Sequence, residues 1–136
     1  MRVGVVLVTH YGLGTEFLQA LRLIIPDAPD YLSVSLDPAQ SVETMRKLIE
    51  DAILQANAGE GVLVLTDMFG GTPSNLAISI MEQANVEVIA GVNLPLLIKL
   101  ASVRIDGTLA ETVNAAQEAG RKYINVASQL LNENKG

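Results

Sequence analysis

The chain contains one histidine, His10, which stands where an apolar run typical of a buried strand ends. A second apolar run, residues 61–66, ends in the same way at Asp67. If both runs are neighbouring parallel strands, the imidazole and the carboxylate lie at the sheet edge where α/β proteins bind ligands. The carboxylate would then accept a hydrogen bond from one ring nitrogen and leave the other nitrogen outward as a nucleophile.

A glycine-bearing loop follows Asp67 and leads into a predicted helix. Thr72 is expected to be the N-cap of this helix, and Pro73 its first residue. The amides of Gly70 and Gly71 and the Thr72 hydroxyl would then lie at a helix N-terminus, a position that favours phosphate. A nucleophilic imidazole, an orienting carboxylate and an anion cradle together predict a phosphohistidine site.

Each of these signals also has a purely structural interpretation. A single histidine can be incidental, an aspartate can form a turn, and Gly-Gly-Thr-Pro can be a tight turn followed by a helix start. Other side chains predicted at the same edge are candidates for partner contacts or for support of the site, but they can equally be core, loop or turn residues. They are Met68, Phe69, Asn75 and Asn93.

The composition limits the class of protein. With 136 residues, 49% of them apolar, the chain is expected to be one folded domain over residues 1–136. No cysteine is present, so disulfides and thiolate metal sites are excluded. A net charge of −6 with scattered Lys and Arg argues against nucleic-acid binding. No apolar run approaches the ~20 residues of a membrane helix, and no targeting segment precedes the first strand, so a cytoplasmic protein is expected.

Apolar periodicity predicts an alternation of strands and helices. The alternation indicates an α/β fold with a doubly wound, mainly parallel sheet covered on both faces. A flavodoxin-like strand order, 2-1-3-4, would bring the strand ends at His10 and Asp67 together. Residues 122–128 alternate ambiguously, and 132–136 are expected to fray. The predicted strands are about 2–9, 31–36, 61–66 and 86–92. The predicted helices are about 13–25, 42–56, 73–84, 95–102 and 109–119, and 104–107 is a turn. Ser41 and Thr108 are expected to be N-caps, and Gly120 is expected to end the last of these helices.

Four segments in order resemble the EIIA domain of the mannose-type sugar phosphotransferase system, and the resemblance extends over essentially the whole chain. The Asp-x-(aromatic)-Gly-Gly-(Ser/Thr)-Pro-x-Asn block is the most specific of them. The segments are Val8-Thr9-His10, Leu13 with Glu16-Phe17-Leu18, Thr66 to Asn75, and Ala90 to Pro95.

The resemblance implies a function and a quaternary structure. His10 would accept a phosphoryl group on Nε2 from phospho-HPr and pass it to a IIB protein, without a cofactor or metal. Asp67 would be the partner of Nδ1, and the loop from Gly70 to Thr72 would neighbour the phosphate. An antiparallel last strand, exchanged across a homodimer, would correspond to residues 122–128. Contact with a membrane permease is expected only through partners.

Two departures from the family pattern stand out. Family members commonly carry glycine directly after the histidine, whereas this chain has Tyr11, with Gly12 next. A bulky side chain there would narrow access or form part of a docking face. The chain is also expected to meet its IIB acceptor in trans, because the sequence ends at Gly136 without a IIB domain.

Other functions remain open at this point. One is the phosphocarrier subunit of a dihydroxyacetone kinase, with the same histidine chemistry; another is a regulatory module whose contacts change on phosphorylation. A nucleotide-binding enzyme is disfavoured because the phosphate-binding loop G-x-x-x-x-G-K-[ST] is missing. A metal hydrolase is disfavoured by a single histidine and no cysteine.

Overall fold

The structure is a computed structural model, and it describes residues 2–82, 85–102 and 107–135. In these residues, parallel strands alternate with helices in the predicted order. The elements are β1 (Gly4–His10), α1 (Leu13–Ile24), β2 (Leu32–Leu36), α2 (Val42–Ala56), β3 (Val62–Thr66), α3 (Thr72–Met81), β4 (Val86–Ala90), α4 (Leu94–Ser102), α5 (Leu109–Lys122) and α6 (Ala127–Lys135).

The strands form one four-stranded parallel sheet in the order β2-β1-β3-β4, which confirms the prediction. Val8 of β1 is in register with Thr66, the last residue of β3, and His10 is in register with Leu36 of β2. Strand β1 therefore extends past the end of β3, and His10 is its last residue rather than the first residue after it. The order reverses between β1 and β3, so the crevice between them is the switch point of the sheet.

Two apolar layers hold the central strands. Val6, Val8, Val62 and Val64 face α2 and α3, whereas Val5, Leu7, Leu63 and Leu65 face α1, α4 and α5. The three leucines of the second group are completely buried, and each buried aliphatic side chain contributes roughly 1.5–3 kcal/mol to stability. The two strands that carry His10 and precede Asp67 are therefore the best-anchored parts of the fold.

The helix ends confirm some predicted signals and correct others. Ser41 and Thr108 accept the expected capping hydrogen bonds. Gly120 does not stop α5, which runs on to Lys122; a Cβ at Gly120 would lie 3.4 Å from Leu96, so the glycine lets α5 pack closely on α4. Helix α3 ends at Met81 rather than at 84. Residues 83–84 and 103–106, which include most of the predicted turn, lie outside the described residues.

The antiparallel strand expected at residues 122–128 is not formed in this chain. Lys122 ends α5, residues 123–126 are irregular, and α6 begins at Ala127. Local hydrogen bonds replace strand pairing: the Ile124 amide donates to the Arg121 carbonyl, and the Leu130 amide to the Val126 carbonyl. A strand needs a neighbouring backbone edge, and in this single chain the tail makes these bonds within itself instead.

Candidate functional site

His10 and Asp67 are brought together as predicted, by two hydrogen bonds to one oxygen. The His10 backbone amide donates to Asp67 Oδ2 over 2.9 Å, and His10 Nδ1 lies 2.8 Å from the same oxygen. The backbone bond fixes the carboxylate at the end of β1, and the ring bond fixes the imidazole on the carboxylate. The sheet order creates this pair, because 57 residues separate the two side chains in the sequence.

The Asp67 carboxylate is held in its ionised form. Burial alone would raise its pKa, but the hydrogen bonds from the backbone and ring of His10, together with the positive charge that this ring carries when it is protonated, hold the pKa below its usual value. Its other oxygen, Oδ1, accepts from the Met68 amide over 3.1 Å. Because an ionised carboxylate can only accept, Nδ1 carries the ring proton and Nε2 of the neutral ring keeps its lone pair.

The space beside Nε2 is open because residue 71 is glycine. A Cβ at Gly71 would lie 2.8 Å from His10 Cε1 and 3.1 Å from Nε2. The Gly71 backbone is extended, at φ −96° and ψ 170°, so its conformation does not require glycine. Gly70 differs, since its φ of +85° favours glycine while its surroundings are open. Gly70 thus allows the turn, and Gly71 leaves room at the ring.

Helix α3 begins at this position, one residue earlier than predicted. Gly71 is the N-cap, and Thr72 is the exposed first residue, so Thr72 does not cap the helix with its side chain. The Gly71 carbonyl accepts from the Asn75 amide over 3.0 Å and from the buried Ser74 hydroxyl over 3.1 Å. The first-turn amides of a helix have no intrahelical acceptor, and Gly71, the N-cap of α3, lies beside the His10 ring.

Tyr11 occupies a left-handed backbone conformation, with φ of +46°. Its amide donates to the Leu36 carbonyl over 2.9 Å, and its carbonyl accepts from the Thr9 hydroxyl over 3.3 Å. Thr9 is completely buried and also accepts from the Gly14 amide over 2.9 Å. Sequence reasoning missed Thr9, although a threonine that ends a run of valine and leucine was a signal for a buried polar contact.

The remaining predicted side chains separate into two groups. Met68 and Phe69 are exposed on the loop after Asp67, at 54% and 65%, and Asn75 is exposed on α3. Asn93 is half-buried and structural: its Nδ2 donates to the Gly120 carbonyl over 2.9 Å, and its Oδ1 accepts from the Leu96 amide over 3.0 Å. Met68, Phe69 and Asn75 therefore remain candidates for partner contact, whereas Asn93 joins α4 to α5.

The site is an open surface rather than a pocket. The His10 side chain is 43% exposed. A cavity of about 420 Å³, lined in part by Arg2, Tyr31 and Gln55, lies instead at the other end of the strands, where β1 and β2 begin. Burial raises the pKa of Tyr31 there to about 12, against a smaller opposing effect of Arg2. The exposed imidazole is therefore accessible to a large partner molecule.

Within the described residues, no group of three or more His, Cys, Asp or Glu side chains is arranged to hold a metal ion. Over the same residues, none of the helices combines the length and apolar character needed to cross a membrane.

The chain matches known proteins over most of its length. The family model described as PTS system fructose IIA component matches residues 4–117. The mannose-specific EIIAB component of the phosphotransferase system (PTS) of Escherichia coli K12 is 29% identical over 126 residues, or 91% of this chain and 39% of that protein. The chain thus spans about two fifths of the length of that relative.

Two further matches agree with the first. The PTS fructose-specific EIIA component of Bacillus subtilis 168 is 26% identical over 98% of this chain and 92% of its own. The mannose/sorbose-specific IIA subunit from Enterococcus faecalis has the same fold, with a TM-score of 0.84 over 93% of this chain and 95% of its own, at 24% identity. The chain therefore belongs to the mannose-type EIIA family of phosphotransferase system components.

Proposed function

We propose that this protein carries a phosphoryl group on His10 Nε2, accepting it from phospho-HPr and passing it to a IIB protein in trans. The observation that carries the proposal is the bond of 2.8 Å between Nδ1 and Asp67, with Gly71 leaving space at the opposite ring nitrogen. The named relatives are sugar phosphotransferase components, which favours a IIB acceptor over a dihydroxyacetone kinase.

The transfer needs no proton to leave the ring. The Nε2 lone pair attacks the phosphorus, the bond between phosphorus and its leaving atom on the donor breaks, and that electron pair stays with the donor. The His10 ring keeps its Nδ1 proton and becomes a cation, which the Asp67 carboxylate faces directly. The reverse sequence delivers the group to the acceptor, and a charge-assisted hydrogen bond of this kind stabilises the charged ring.

The phosphoryl oxygens would lie against the start of α3. The proposed donors to these oxygens are the loop amides of Gly70 and Gly71 and the Thr72 hydroxyl. The positive end of the helix dipole adds a favourable field, which is strongest within the first turn. Because Gly71 has no side chain, these backbone groups can approach the phosphoryl group closely.

We also propose a compartment and a quaternary structure for the protein. Residues 1–136 act as one domain in the cytoplasm, and association with a membrane permease occurs through partners. The protein forms a homodimer, and the tail at 122–128 becomes an antiparallel strand only when it is exchanged with a second copy. The exposed apolar residues of that tail, Tyr123, Ile124 and Val126, support a partner surface for it.

Labelling with radioactive phosphoenolpyruvate, enzyme I and HPr tests the donor and the site together. The expected label is acid-labile and base-stable, at one per chain, because His10 is the one histidine in the sequence. Addition of a purified IIB protein should remove the label. An unlabelled wild-type protein, or a label that survives in His10→Ala, would refute the proposal. Transfer of the label to a dihydroxyacetone kinase, and to no IIB protein, would show that the proposed acceptor is wrong.

A further inference from the structure

Tyr11 is the one non-glycine residue with positive φ in the described part of the chain. The left-handed region is unfavourable for a bulky L-residue, because its Cβ approaches the carbonyl oxygen that follows. Gly12 stands directly beside it, at φ −85°, and does not take the unfavourable conformation. The strain is therefore placed on the aromatic residue that follows the phosphoryl acceptor.

Two hydrogen bonds hold Tyr11 in this conformation, and both are made by its backbone. Its amide is bonded to Leu36 at the end of β2, and its carbonyl is bonded to the buried Thr9 hydroxyl. A glycine at position 11 would keep both bonds and remove the strain. The turn thus fixes the position of the Tyr11 side chain, whereas the turn itself does not require that side chain.

Tyr11 lies close enough to His10 to contact a protein that binds there. Consecutive Cα atoms lie about 3.8 Å apart, and the Tyr11 side chain is 60% exposed. A protein that brings a phosphorus atom to His10 Nε2 comes close to this exposed residue. A small phosphoryl donor can reach the same nitrogen without covering Tyr11.

We infer that Tyr11 is a specificity-determining contact for the protein partners that exchange the phosphoryl group with His10. This inference rests on the proposed function. The partner surface it fits accepts an aromatic side chain, because Tyr11 is exposed directly after His10 in the chain. Tyrosine is among the side chains that contribute most to protein interfaces, since it buries a large area with few rotatable bonds.

The test compares a protein donor with a small one in the same variants. Phospho-HPr is the protein donor, and phosphoramidate, which needs no docking surface, is the small one. The measured quantity is the ratio of the two second-order rate constants for labelling of His10. In Tyr11→Asn, whose side chain tolerates the left-handed conformation, and in Tyr11→Gly, this ratio should fall at least tenfold, mainly through a higher KM for phospho-HPr.

Two further variants make the test selective. Tyr11→Phe keeps the ring and should stay within about twofold of the wild-type ratio, and Leu23→Ala, an 84% exposed apolar residue on α1, should leave the ratio unchanged. A wild-type ratio in Tyr11→Asn and Tyr11→Gly would overturn the inference while leaving the proposed function intact. If neither donor labels wild-type His10, the proposed function itself fails.

Discussion

The space beside Nε2 gives the sharpest prediction, which concerns Gly71→Ala. The new methyl would lie 2.8 Å from His10 Cε1, so the ring has to retreat by about 0.6 Å to reach an ordinary contact of 3.4 Å. Such a movement weakens or breaks the Nδ1 bond to Asp67, which is 2.8 Å long. Loss of a hydrogen bond to a charged group costs about 1.5–3 kcal/mol, or about 10- to 160-fold in rate.

The assay is the initial rate of His10 labelling by phospho-HPr and by phosphoramidate. Both rates should fall, because the methyl obstructs the nitrogen itself rather than a docking surface. Gly12→Ala is the matched control, since a Cβ there has open space and its φ of −85° suits alanine. Folding should be preserved, because the Gly71 backbone is extended. If Gly71→Ala is folded and labelled within twofold of the wild-type rates, the placement of Gly71 at the reacting nitrogen is wrong.

The pKa of Asp67 is lowered in the folded protein, so its ionised form stabilises the fold fully at pH values above 3.8, the ordinary pKa, and this contribution is lost as the pH falls through the lowered pKa. The free energy of unfolding in urea, measured from about pH 7 to about pH 2, should therefore differ less and less between wild type and Asp67→Asn as the pH falls. Tyr11→Gly should be more stable than wild type by about 0.5–1 kcal/mol, because relief of the left-handed strain exceeds the added chain entropy; a less stable variant in urea would show that the ring packs against the fold. Asn93→Ala loses bonds to α4 and α5 and should lower the free energy of unfolding by about 1–3 kcal/mol, whereas an unchanged midpoint would mean that these bonds contribute little.

The sequence predicted the sheet well because the two central strands are buried on both faces. Continuous runs of valine and leucine have few alternatives to such strands, and right-handed crossovers between parallel strands leave few possible orders. The pairing of His10 with Asp67 followed from that order alone. The site was therefore predictable to the extent that it depends on strand ends.

Features decided by a single dihedral angle or by tertiary contact were not predictable in this way. Thr72 and Gly71 are both acceptable N-caps, and a shift of one residue decided between them. Tyr11 stands next to a glycine, so the sequence offered no reason to place the positive φ on the tyrosine. The alternation at 122–128 fits a strand or a helix equally, and a partner edge that would decide between them is not part of one chain.

The two bonds to Asp67 Oδ2 also link the chemistry of His10 to the stability of the fold. They span the ends of β1 and β3, so the imidazole loses its rotational freedom when the sheet forms rather than at each transfer. In the proposed reaction, the folded protein can stabilise the phosphorylated ring more than the unfolded chain does. Any such stabilisation raises the free energy of unfolding of the phosphorylated protein, and it lowers the phosphoryl-transfer potential of His10 by the same amount. Calorimetry of the two forms would thus measure how strongly this carrier retains its phosphoryl group.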